Sequence, residues 1–357
     1  MRPITWLSIL VVCRVNTAES CPDNCRCTQK TSVERSEVDC HKRGFSTFPT
    51  SLPTDTWILK MGENLLEEVQ PNMFSVVPNI ESVNLERNMI KSLHPQGFSG
   101  ANKLMLMNLY GNQITKLPPK AFKDLISLRF LLLGQNQIAT VKPDMFVGMR
   151  NLSELDLPLN SLTTLPPNAF KPLIALKVLD LALNKIQKIS RKAFFGLQEL
   201  LFLNLDNNKL KNIPTGTFKP MTALEMLVLD NNQLSVLTPS LFDGLHNLQE
   251  IFIRNNEIDS LPADLFRHTP KLVQVALSGN RMHTIDGNML ANLQGLKEAY
   301  LHDNPWMCDC KINSLVEWIA QTQAYQSPLK KIQCADPEEF RNKPLHTLAS
   351  QGLHCTA

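Results

Sequence analysis

Between residues 41 and 307 the chain contains no cysteine, so neither disulfides nor thiolate-bound metals can hold its long middle section together. Beyond the first dozen residues no apolar run approaches the roughly 20 needed to cross a bilayer, and no membrane span or lipid-attachment tail is expected. Charge of one sign is lacking too: 36 Lys and Arg stand against 33 Asp and Glu, a net +3 that excludes the one-sided basic surface of a duplex-binding protein. Hydrophobic residues at 43% and charged residues at 19% exclude a disordered chain. Catalytic signatures are missing as well. There is no G-x-S-x-G, no H-E-x-x-H, no P-loop and no glycine-rich dinucleotide fingerprint, and the eight histidines lie scattered between His41 and His354. No enzymatic activity, cofactor, metal or nucleic-acid partner is expected.

What is present begins with MRPITWLSILVVCRVNTAES, in which a basic Arg2 precedes an apolar run from Ile4 to Val12 and small residues at Ala18 and Ser20. This reads as a secretory signal peptide over residues 1–20. Removing it with Cys13 leaves eight cysteines in two groups, Cys21, Cys25, Cys27, Cys40 and Cys308, Cys310, Cys334, Cys355. An even number in a secreted chain implies disulfides, and spacing alone permits three connectivities in each group.

Asparagine recurs every 24 residues at 64, 88, 112, 136, 160, 184, 208, 232, 256, 280 and 304, without one insertion. Aliphatic residues hold fixed offsets around it, as in Leu200, Leu203, Leu205, Asn208, Leu210. Ten residues beyond each asparagine from 64 to 256 stands a phenylalanine, from Phe74 to Phe266, and Leu290 breaks that column. Each unit is one short strand and a return segment that cannot bury its apolar face alone, so neighbours must stack. Stacking places the leucines inside, the phenylalanines under the outer side, and the asparagine amide where the chain turns out of the strand and backbone groups need partners.

The L-x-x-L-x-L-x-x-N-x-L pattern resembles the leucine-rich repeat family in its extracellular subtype. CPDNCRC with Cys40, and NPWMCDC with Trp318, Cys334 and Cys355, resemble that family's two flanking modules. The resemblance implies an α/β repeat solenoid: a curved horseshoe with a parallel β-sheet on the concave face, a mostly irregular or short-helical convex side, and a disulfide cap at each end. It also implies bridges Cys21–Cys27, Cys25–Cys40, Cys308–Cys334 and Cys310–Cys355. The expected organisation is a cap over 21–55, the repeat array over 56–303, and a second cap over 304–357. Among the family's members, the secreted serum group is the most similar in its soluble ending and cap spacing, with leucine-rich serum glycoprotein, the carboxypeptidase N regulatory subunit and the beta-type snake phospholipase inhibitors.

If the leucines three and five residues before each asparagine point inward, those six, four and two before it face the concave surface. Between the repeats of Asn160 and Asn256 these outward positions hold Glu154, Asp156, Asp180, Asp206, Asp230 and Glu250 against Arg254 alone; six acids minus one base leaves minus five. Tyr110, Phe130, Phe202, Phe252 and Tyr300 are interleaved, with Met226 beside them. Aromatic anchors among charges suit a protein-binding surface, here for an extracellular and basic protein.

A second feature is NKIQKISRKAF, in which Lys185, Lys188, Arg191 and Lys192 occur without an acid, followed by Lys209 and Lys211. Their place after the asparagine puts them on the flank or convex side, where a glycosaminoglycan is the candidate polyanion. Asn151-Leu152-Ser153 is the single N-x-S/T sequon and the candidate glycosylation site. The expected function is that of a secreted, non-enzymatic protein of the extracellular space or matrix that binds a protein on its concave face. The alternatives are a matrix protein binding glycosaminoglycan, and an inhibitor of a secreted hydrolase such as a phospholipase.

Overall fold

The computed structural model describes residues 21–30, 35–348 and 353, so the expected signal peptide and Cys355 lie outside the described residues. One sheet of 13 strands runs the length of the molecule. A hairpin of β1 (Arg26–Lys30) and β2 (Arg35–Asp39) opens it. Eleven parallel strands follow, one per repeat: β3 (Thr56–Lys60), β4 (Ser82–Asn84), β5 (Leu106–Asn108), β6 (Phe130–Leu132), β7 (Glu154–Asp156), β8 (Val178–Asp180), β9 (Phe202–Asn204), β10 (Met226–Val228), β11 (Glu250–Phe252), β12 (Gln274–Ala276) and β13 (Glu298–Tyr300). Pairing is offset by one 24-residue repeat, as in Val178 with Phe202, Leu179 with Leu203 and Asp180 with Asn204. Every sequence column therefore becomes a row of side chains across the sheet.

The asparagine amides fasten these strands. Asn184 Nδ2 donates to the carbonyls of Leu181 (3.1 Å) and Ala182 (3.1 Å) in its own repeat and of Leu157 (2.9 Å) in the preceding one, while its Oδ1 accepts the Leu162 N–H at 3.0 Å. The same bridge to the preceding turn recurs from Asn64 to Asn304. All eleven of these asparagines are buried. The residue just before each one turns the chain in the left-handed region, as Asn207 (φ 52°), Asn231 (φ 52°) and Gly279 (φ 69°) do.

Beneath the turn the core continues as stacked columns. The rings of Phe170 and Phe194 lie 6.3 Å apart and those of Phe242 and Phe266 6.0 Å apart, nearly parallel in both cases. Phe48 of the N-terminal cap meets Phe74 edge-on at 5.5 Å and so closes the column, a contact that the 24-residue spacing does not reveal. Apart from two short ladders, Glu68–Val69 with Ser92–Leu93 and Thr164–Leu165 with Lys188–Ile189, the returning segments are made of turns, with a 3₁₀ turn at Pro143–Phe146 and one short helix, α1 (Gly287–Ala291), where Leu290 interrupts the phenylalanines. That helix packs on α2 (Asn313–Gln321) of the C-terminal cap. Contact is so close that a Cβ on Gly287 would sit 1.9 Å from the Ser314 carbonyl oxygen, which leaves glycine as the residue that fits.

Both ends of the stack are covered. Disulfides join Cys21 to Cys27, Cys25 to Cys40 and Cys308 to Cys334; Cys310 is also disulfide-bonded, its expected partner Cys355 lying outside the described residues. The β1–β2 hairpin occupies the sheet edge that the first repeat would otherwise leave open. At the far end Trp306 is fully buried and its indole N–H donates to the Leu301 carbonyl at 3.0 Å. Among the described residues no helix is long and apolar enough to cross a membrane.

Phe170 is completely buried between two neighbouring rings, whereas Lys192 is exposed. Phe170→Ala is expected to lower unfolding stability by about 3–5 kcal/mol, and Lys192→Ala by no more than about 0.5 kcal/mol. Urea unfolding of the two variants makes the comparison, and an unchanged midpoint for Phe170→Ala contradicts the assignment of the core.

Candidate functional site

Because the register is constant, the concave face can be built row by row. In the row that starts each strand, Phe130 pairs with Glu154, Glu154 with Val178, Val178 with Phe202, Phe202 with Met226, and Met226 with Glu250. Val178, Phe202 and Met226 thus form a half-buried apolar strip bounded by two glutamates. The next row carries Asp156 beside Asp180, and Phe252 beside Val228 and Ala276. Tyr300 lies at the far end of this row, where its hydroxyl donates to Glu298 at 2.7 Å, and that bond raises its pKa. It joins the C-terminal end of the face rather than its centre.

The carboxylates differ in state. Asp180 Oδ1 accepts the Ala182 N–H two residues on, at 2.8 Å, a local bond that Asn84, Asn108 and Asn204 repeat in their own strands. Asp156 has no such donor, because residue 158 is proline and lacks an N–H. Burial is the main cause that pushes the Asp156 carboxyl up to about 7, with the neighbouring charges of Glu154 and Asp180 and a hydrogen bond to Glu154 adding to it. Burial also raises Asp180, against the opposing bonds from Ala182 and Asn204.

Asp230 is buried and fully engaged: it accepts the Arg254 backbone N–H at 2.6 Å and the guanidinium at 2.8 and 2.6 Å. That guanidinium lies 5.2 Å above the Phe252 ring, so the three form one fixed unit rather than separate anchors. Asp206 accepts Asn207 and Asn231 amides, each at 2.8 Å. The formal count of minus five already sets Arg254 against an acid, and the structure shows that acid to be Asp230. It still overstates the field, because Asp156 carries about half a charge at neutral pH.

The structure brings two residues of the alternation columns together and adds two turn residues that the alternation rule does not reach. Tyr110 and Pro158 close over Gly134 from the repeats on either side, within 2.9 and 3.2 Å of where a Cβ would stand. Two outward positions back along the same strand, Phe130 is 37% exposed. Leu159 and Leu183 occupy the turn position before their asparagines with φ of 56° and 55°, and both remain over 40% exposed. Leucine is disfavoured there on steric grounds, and it gains little from burial. Reading the turn column across the repeats, where Asn, Gly or charged residues otherwise prevail, would have picked them out.

The basic residues Lys185, Lys188, Arg191 and Lys192 lie away from this face, all exposed, with Lys188 in a short ladder against Thr164. Asn151 is exposed and donates from its amide to the Ile126 carbonyl at 2.8 Å. Among the described residues no group of three or more His, Cys, Asp or Glu side chains is placed to hold a metal ion.

Asp156 binds its proton more tightly folded, at about 7, than unfolded, at its ordinary value of 3.8. The native state holds the extra proton, so stability falls as pH rises from about 4 to about 7 and stays lower above that. Asp156→Asn removes the titration. Its melting temperature relative to the unsubstituted protein is expected to rise between pH 5 and pH 8, and a difference that does not change with pH refutes the assignment.

The fold has counterparts of known structure. A chain in the octameric complex of Latrophilin 3, Unc5D and FLRT2 superposes with a TM-score of 0.80 at 27% identity, covering 94% of this chain and 100% of that one. A Leptospira interrogans LRR protein superposes with a TM-score of 0.67 at 24% identity, a likeness of fold alone. Human trophoblast glycoprotein is 40% identical over 53 residues, 15% of this chain and 12% of that protein. The Danio rerio leucine-rich repeat and immunoglobulin-like domain-containing nogo receptor-interacting protein 1-B is 33% identical over 69 residues, 19% of this chain and 10% of that protein. These curated relatives are thus matched over a small part of their length. With the leucine rich repeat model matching residues 58–114, 102–162, 150–210, 202–258 and 246–305, the chain belongs to the leucine rich repeat family.

Proposed function

We propose that the chain is a secreted, non-enzymatic binding module of the extracellular space that holds a basic protein on its concave face. The observation that carries this reading is the pair Leu159 and Leu183. Each left-handed leucine costs roughly 1–2 kcal/mol and both stay over 40% exposed, so the fold gains little from them. A partner does. They adjoin Pro158 and Ala182 at one end of the strand row, and with the half-buried Phe202–Met226 strip at the other end they bracket the carboxylates of Asp180 and Asp206, which gives apolar contacts on both sides of an acidic stripe. The multiprotein complex that contains the structural neighbour supports a protein as the ligand class, as does a relative named as nogo receptor-interacting. The serum-group and hydrolase-inhibitor readings specify which protein is bound and use the same face.

Crosslinking in the native fluid followed by mass spectrometry identifies the partner, and surface plasmon resonance then separates the contributions. Leu159→Asn with Leu183→Asn is expected to raise the melting temperature, since asparagine tolerates the turn, and to speed dissociation about tenfold or more. Asp180→Asn with Asp206→Asn is expected to slow association and flatten its dependence on salt. Unchanged kinetics in both variants excludes the concave face as the docking site.

A further inference from the structure

On the other side of the same repeats lies a surface that the concave site does not use. Between residues 181 and 224 the chain has seven Lys and Arg and only two acids, and of those acids Asp206 faces the concave side. Toward the two ends of the solenoid some bases pair with acids one repeat away, as in Lys91 with Glu67, Arg281 with Glu257 and Arg254 with Asp230. Among the described residues from 92 to 229 no ion pair forms, and the seven bases lie within that stretch. Lys185 has Ser161 on one side and Lys209 on the other, like charges at the spacing of adjacent repeats. Among the described residues none of the seven makes an ion pair.

Two open clefts lie along this band. The first, about 380 Å³, is bounded by Lys188, Lys209 and Lys211. The second, about 680 Å³, is bounded by Arg191, Lys192 and Lys219 around Phe195, with Glu199 its one acid. The segment 188–192 runs from one cleft to the other, at most about 13 Å of chain. Arg191 is placed by the next repeat: its guanidinium lies 3.2–3.3 Å from where a Cβ of Gly216 would stand, and φ of 79° keeps that position glycine. Phe195 is half exposed under the ammonium of Lys171, at 5.7 Å from its ring centre.

We propose that this band binds a linear sulfated polysaccharide, its sulfates meeting Lys188 and Lys211 in one cleft and Arg191, Lys192 and Lys219 in the other, with a sugar ring on the face of Phe195. Two separated groups of unpaired cations need an anion that repeats along a chain, which a single phosphate does not provide. Open clefts suit an extended polymer. One exposed ring is too few for the successive base stacking that single-stranded nucleic acid uses. The acids Asp180 and Asp206 on the opposite face repel the polymer there, so it leaves the proposed protein-docking surface free. The assignment is independent of the concave reading.

Heparin-derived oligosaccharide and its fully desulfated counterpart, passed over the immobilised full chain, test the proposal. The sulfated chain is expected to bind with steep salt dependence and the desulfated one not at all. Lys188→Glu with Lys211→Glu, and Arg191→Glu with Lys219→Glu, are each expected to weaken binding at least about tenfold with melting temperature unchanged. Asp180→Asn with Asp206→Asn leaves it intact, which keeps this test separate from that of the concave face. Wild-type affinity in both charge-reversal variants, binding of the desulfated chain, or tighter binding of a single-stranded oligonucleotide of equal length overturns the proposal.

Discussion

The rest of the molecule depends on one side-chain amide that bonds the backbone of two repeats at once. A strand of three residues has too few ladder bonds to define its own position, and a repeat of 24 residues has no core of its own. The asparagine resolves both problems. Its amide protons reach carbonyls in its own turn and in the turn before, and its oxygen takes an N–H of the preceding repeat. These groups are buried, so each bond left unmade would cost about 1–3 kcal/mol. The register of the whole sheet follows from that demand.

A fixed register has a consequence for surface chemistry. It lines up side chains that are 24 residues apart, so a substitution in one repeat alters the environment of its neighbours as well as its own. Pro158 is the clearest case. It removes the N–H that would have engaged Asp156, so no local bond opposes the burial that pushes this carboxyl up to about 7, and it helps close the platform over Gly134. Asp230 shows the opposite outcome, because Arg254 arrives from the next repeat and holds the carboxylate in a buried pair. Two aspartates of similar appearance in sequence thus carry different charge and different availability to a partner.

The same lamination separates charge by side. Acids and half-buried apolar residues gather on the strands, while bases gather on the returning segments of the same repeats. Residues 178–219 therefore present an acidic inner surface and a basic outer one, with a core of stacked phenylalanines between them. A molecule of small net charge can in this way offer two surfaces of opposite sign without either weakening the other's selectivity.

Periodicity alone determined the solenoid, the sheet, the inward leucines, the phenylalanine column and the division into inner and outer faces, because a 24-residue repeat without insertions leaves the stack one register. It also placed Phe202 with Met226 and Asp156 with Asp180, since a common offset becomes a common row. The tertiary structure decided what depends on distance and burial. These are the proton on Asp156, the pairing of Asp230 with Arg254, the exposure of the two leucines in left-handed turns, and the gathering of the basic side chains around two clefts. Offsets say which residues are neighbours; only the folded geometry says which atoms meet, how much water they keep, and so which charges and apolar surfaces remain for a ligand.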